Sequence, residues 1–88
     1  MSPKAPRDPG PLGREVVTII RERMGRLRLT QADIARMTGL KQSSLSRTLA
    51  EEREIGVDEI QAIALAFGTT AAVLVGEALE RATEHEVS

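Results

Sequence analysis

The chain has 88 residues, net charge −1, no cysteine and a single aromatic residue, Phe67. That length supplies one small domain, and the absence of thiols excludes disulfides and thiolate metal sites. No apolar run reaches the roughly 18 residues of a membrane span, no signal-peptide core opens the chain, and one aromatic side chain cannot provide the stacking platform of a single-strand binder.

Charge is unevenly distributed. Residues 1–53 hold eleven Lys/Arg against six Asp/Glu, and residues 54–88 hold one against seven, so the two parts carry +5 and −6. A cationic first part suits a polyanionic partner on one side of the molecule, although solvated charge that clusters by chance gives the same tally.

Residues 1–12, with four prolines, read as a flexible tail. Lys4 and Arg7 within it are read most simply as disordered, with an arm along a duplex as the alternative. Residues 13–83 are expected to form the domain and residues 84–88 to fray.

The first helix is expected from Gly13 to Leu27, since Val16, Ile19, Ile20, Met24 and Leu27 recur at spacings of three and four. Arg21, Arg23, Arg26 and Arg28 read as a solvated face. The second helix, Gln31 to Thr38, opens on Thr30 and Asp33, a capping-box pair, with Leu29 and Ile34 as a hydrophobic staple. Gly39 should end it in the left-handed conformation.

A third short helix is expected over Gln42 to Ala50, with Leu45 and Leu49 as its apolar pair, followed by a polar loop, EEREIG. Val57, Ile60, Ile63, Ala64 and Phe67 form the stripe of a fourth helix that Gly68 closes. A fifth, capped by Thr69 or Thr70, runs to about Ala82. Its apolar residues cover more than one face, so Val75, Leu79 and Ala82 form a possible dimer surface.

Two short helices joined by a glycine-containing turn outline a helix-turn-helix. Ala35 is small where the helices cross, Gly39 turns the chain, and Ile34, Leu40 and Leu45 face inward. The third helix is then free to enter a major groove.

The segments TQADIARMTGLKQSSLSRTLA and VDEIQAIALAFGTTAAVLV resemble the Cro and phage-repressor helix-turn-helix family, the xenobiotic-response-element type. The likeness covers about residues 14–75 and implies an all-α, five-helix, lambda-repressor-like fold that binds double-stranded DNA as a transcriptional regulator, most simply a repressor. By position it implies base contacts from Gln42, Ser43 and Arg47, and phosphate contacts from Gln31, Lys41, Ser44, Ser46 and Arg53. The chemistry fits: Gln pairs with adenine and Arg with guanine, and a helix N-terminus attracts phosphate. Structural alternatives are plain helix-start roles for Gln31, Gln42 and Ser43, and an Arg47–Glu51 pair at spacing four.

The chain departs from the family pattern at three positions. Thr48 stands where an apolar residue is frequent, Leu49 where Glu is frequent, and Lys41 where Ser or Thr caps the recognition helix. Leu49 is expected to take over the packing from Thr48. Family members usually bind as two-fold dimers, which implies a homodimer. The resemblance further implies a cytoplasmic, nucleoid-associated protein, bacterial or phage-encoded. A protein-interaction module of the same fold, antitoxin-like, is the competing reading. No cofactor, metal or small-molecule ligand is expected. The only histidine is His85, with no thiol or phosphate-binding glycine loop, so an enzyme is not expected.

Overall fold

The computed structural model describes residues 9–87, and the side chains of residues 9–84. Lys4 and Arg7 lie outside the described residues, as does the side chain of His85. Five helices follow one another: α1 (Pro11–Leu27), α2 (Gln31–Thr38), α3 (Gln42–Leu49), α4 (Val57–Ala66) and α5 (Ala71–Val87). No strand occurs among the described residues. The fold is the all-α, lambda-repressor-like arrangement.

α1 begins two residues before its expected start. Gly10 is its N-cap and Pro11 its first residue, a position where the missing proline N–H costs no helical hydrogen bond. Pro9 is buried, so the proline-rich opening is partly built into the domain. α5 likewise runs past Ala82 to Val87.

Helix ends follow two patterns. α2 opens on a complete capping box: the Asp33 N–H donates to Thr30 Oγ1 at 3.1 Å and the Thr30 N–H to Asp33 Oδ2 at 2.9 Å. It closes at Gly39, φ 79°. α4 closes on Gly68, φ 80°. α1 and α3 end without glycine. Arg28 (φ 57°) and Glu51 (φ 62°) take the left-handed conformation instead. After α1, the Leu29 N–H donates to the Met24 carbonyl at 2.9 Å and the Arg28 N–H to the Gly25 carbonyl at 3.3 Å, the two bonds of a Schellman turn. α5 borrows a cap from its neighbour, since the Ala71 N–H donates to Gln61 Oε1 at 2.9 Å.

The core is aliphatic. Val16, Val17, Ile19 and Ile20 of α1 meet Ile34 of α2, Leu45 and Leu49 of α3, Ile60, Ile63 and Ala64 of α4, and Leu74 and Ala78 of α5. Phe67, Leu29 and Ala35 pack partly buried against it. Two expected core residues are not there. Leu27 is half exposed, because the chain turns at Arg28 and Leu29 covers the core instead. Val57 is 76 % exposed; Ile55, from the segment read as a polar loop, packs against the core just before it.

Two ion pairs clamp α1 to α5. Arg81 grips Glu22 through both oxygens, at 2.8 and 3.1 Å, and Arg23 meets Glu77 at 2.5 Å. Arg81 holds the Glu22 carboxyl below its usual range. The arginines of α1 are therefore not simply a solvated face: Arg23 is about one-fifth exposed in its side chain, and its Nε is buried without a hydrogen-bond partner.

Candidate nucleic-acid interface

α3 is amphipathic at one-residue resolution. Leu45, Thr48 and Leu49 are buried, while Gln42, Ser43, Ser46 and Arg47 are exposed. On a helix of 3.6 residues per turn, positions i, i+1, i+4 and i+5 share a side, so these four side chains leave the molecule together. Ser44 is half-buried at the edge of this face, and Lys41, the N-cap, is exposed without a side-chain capping bond. The α3 N-terminus is thus closed by no side chain of its own cap.

α2 supports this face from behind. Gln31 is its first residue and is half-buried. Thr38 Oγ1 donates to the Ile34 carbonyl at 2.7 Å and accepts from the Leu40 N–H at 3.2 Å. With Gly39 left-handed, these bonds fix the turn between the two helices. Asp33 also accepts from Arg36 at 2.7 Å. The Thr30 N–H, the Arg36 guanidinium and the Thr30 hydroxyl together pull the Asp33 carboxyl down to about 2 from its ordinary 3.8.

Arg47 lies 3.9 Å from Glu52, with both side chains more than half exposed. The alternative Arg47–Glu51 pair does not form, because the left-handed turn at Glu51 directs that carboxylate to Arg14, 3.6 Å away. An exposed pair of this length contributes little, so Arg47 remains available to a ligand.

Arg53 sits differently from the rest of the expected set. Its Nη1 donates to the Thr48 hydroxyl and to Glu59 Oε2, the latter at 3.0 Å. The guanidinium is turned toward the α3–α4 junction. Thr48 is also not displaced by Leu49: both are 1 % exposed, and the Thr48 hydroxyl donates to the Ser44 carbonyl at 3.0 Å. Apolar spacing cannot show a polar residue that is buried because its hydroxyl is satisfied by the Ser44 carbonyl on one side and by Arg53, beyond the end of the helix, on the other.

A family model described as helix-turn-helix, of the Cro and phage-repressor type, matches residues 20–74. The chain belongs to that family. The match begins in α1 and reaches into α5, and so takes in the whole helix-turn-helix and the core residues from Ile20 to Leu74. The chain is a DNA-binding helix-turn-helix regulator, of a family that is not enzymatic. No curated protein and no solved structure matches it. Among the described residues no group of His, Asp or Glu could hold a metal ion, and no single helix is long and apolar enough to cross a membrane.

Of the residues expected on a dimer surface, Leu79 is half exposed, while Val75 and Ala82 are partly buried and Val75 packs against the core. Val73, not expected there, is 46 % exposed. Beside Val75 lies a groove of about 320 Å³ lined by Pro9, Leu12, Val16, Ile55 and Ile60.

Proposed function

We propose that this chain is a transcriptional repressor that reads an operator in duplex DNA by inserting α3 into the major groove. The observation that carries the reading is the shared exposed face of Gln42, Ser43, Ser46 and Arg47 above a fully buried opposite face. Beyond the long, exposed Arg47–Glu52 pair, this polar side includes the two side chains best suited to bidentate base contacts, Gln for adenine and Arg for guanine.

In this reading Gln42, Ser43 and Arg47 touch base edges. Gln31, Lys41, Ser44 and Ser46 touch phosphates, which fix register but carry no sequence information. Arg53 is assigned to holding the end of α3, since its guanidinium is already engaged by Glu59 and Thr48. Two copies pair through the outer face of α5 around Leu79, with Val75 and Ala82 at its edge, placing two α3 helices in successive major grooves about 34 Å apart. Repression follows from occupancy, because a bound dimer covers the promoter. The chain works in the cytoplasm on nucleoid DNA, with the five-helix unit, from buried Pro9 to the end of α5, as the DNA-binding domain in place of the narrower 13–83.

Selection from a random duplex library tests this directly. The expected outcome is an enriched site with two-fold symmetry whose affinity falls with salt. Enrichment of a single half-site would remove the dimer. No enrichment at low salt would overturn sequence reading in favour of a protein-binding module.

A further inference from the structure

The two ends of α3 differ. At its start Lys41 offers no side-chain cap, and Gln42 and Ser43 are exposed. At its end every carbonyl of the last turn has a partner. The Ala50 N–H donates to the Ser46 carbonyl at 3.0 Å, the Glu52 N–H to that of Arg47 at 2.9 Å, and the Glu51 N–H to that of Thr48 at 3.1 Å. The backbone turn leaves the Leu49 carbonyl over. It is satisfied by the Arg21 guanidinium, whose Nη2 donates to it from the middle of α1, 28 residues earlier.

This bond sets Arg21 apart from other arginines of the domain. Arg14, Arg23, Arg36, Arg47, Arg53 and Arg81 all face carboxylates. Arg21 instead donates to the backbone of the recognition helix itself, at the negative end of the helix dipole, where a cation is favoured. Leu49, the residue it holds, is 1 % exposed, so the anchored carbonyl belongs to a residue whose side chain is fixed in the core.

We propose that Arg21 is a positioning residue for DNA recognition. By holding the Leu49 carbonyl it fixes the tilt of α3 against α1, and so the direction in which Gln42, Ser43 and Arg47 leave the helix. The inference rests on reading α3 as the base-reading helix. The leverage is large. At 1.5 Å per residue the free end of α3 lies about 12 Å from the clamp, so a tilt of about 10° moves it by about 2 Å. A hydrogen bond to a base edge tolerates about 0.5 Å. Phosphate contacts made by flexible side chains adapt to such a shift more easily than bidentate base contacts do.

The experiment compares wild type, Arg21→Ala and Arg21→Lys, whose ammonium can donate to the same carbonyl. Two quantities are measured: the affinity ratio for a selected duplex over a scrambled duplex of equal length, and the backbone amide shifts of residues 42–49 in the free chain. Arg21→Ala is expected to lower the ratio about tenfold, the scale of one good base contact, with scrambled-duplex binding nearly unchanged. The amide shifts of residues 42–49 move, and Arg21→Lys restores most of both. An unchanged ratio with unchanged shifts overturns the proposal. So does an equal loss on both duplexes with a shallower salt dependence, which would make Arg21 a phosphate contact. If wild type itself does not distinguish the duplexes, the base-reading role of α3 fails. The amide shifts then decide whether Arg21 holds the helix, and unmoved shifts in Arg21→Ala overturn that too.

Discussion

Arg53 joins α3 to the helix that follows it, because one guanidinium nitrogen donates both to the Thr48 hydroxyl and, at 3.0 Å, to Glu59 Oε2. Glu59 in turn accepts from the Gly56 N–H at 2.8 Å through its other oxygen. A single carboxylate therefore caps the start of α4 and anchors the arginine that closes α3. Arg53→Ala is expected to cost about 1.5–3 kcal/mol, the range of hydrogen bonds made by a charged group. Glu59→Gln should cost less, since the amide oxygen still serves Gly56. Urea unfolding of both variants and of the double variant checks the coupling, and fully additive losses would show that the pair is not the connection.

Gly39 has open space around the position of a Cβ, and its φ is 79°. Gly39→Ala therefore meets no clash and carries only the left-handed backbone penalty, about 1–2 kcal/mol. Gly39→Asn should lose less, because Asn tolerates that region. Equal stability of wild type and Gly39→Ala in thermal melts would mean that the turn adopts another conformation.

Glycine explains much of what was legible in the sequence. The end of α2 at Gly39 and of α4 at Gly68 could be read directly, as could the start of α2 from Thr30 and Asp33. The ends of α1 and α3 could not be read from a residue type, because Arg28 and Glu51 take the left-handed conformation that glycine usually signals. Pro11 is a helix-start signal obscured by its proline-rich surroundings. Apolar spacing found the α4 stripe but misplaced Val57, since position one of a helix can point to solvent without breaking the period. The exposed face of α3 followed from Leu45 and Leu49 alone. The hold of Arg21 and Arg53 on its far end did not, because those contacts exist only once the chain has folded.

Acid should weaken the fold through its lowered carboxyls. Asp33 titrates at about 2 in the folded chain against an ordinary 3.8, and Glu22 is lowered from 4.5 by Arg81. A depressed carboxyl stabilises the fold fully above its ordinary value and loses that contribution as pH falls through the folded value. The melting temperature is expected to be level above about pH 5 and to fall toward pH 2. Asp33→Asn keeps an oxygen for the Thr30 N–H and cannot titrate, so its curve should be shallower in this window. Identical slopes would show that the capping carboxylate contributes nothing to acid sensitivity.

Leu79 is 51 % exposed on the outer face of α5. Leu79→Asp should change the unfolding free energy of the isolated domain by no more than the small range of surface substitutions, about 0.5 kcal/mol, yet change its sedimentation from dimer to monomer. Affinity for a two-fold duplex should drop while that for a half-site is retained. Sedimentation identical to wild type would place the self-association surface elsewhere.

The most direct measurement is the affinity of wild type and the Gln42→Ala/Arg47→Ala variant for the selected duplex and for a scrambled duplex, both at fixed salt. The expected result is a loss of about a hundredfold on the selected duplex, two base contacts' worth, with little change on the scrambled one. A variant that keeps the wild-type preference between the two duplexes would contradict base reading by α3.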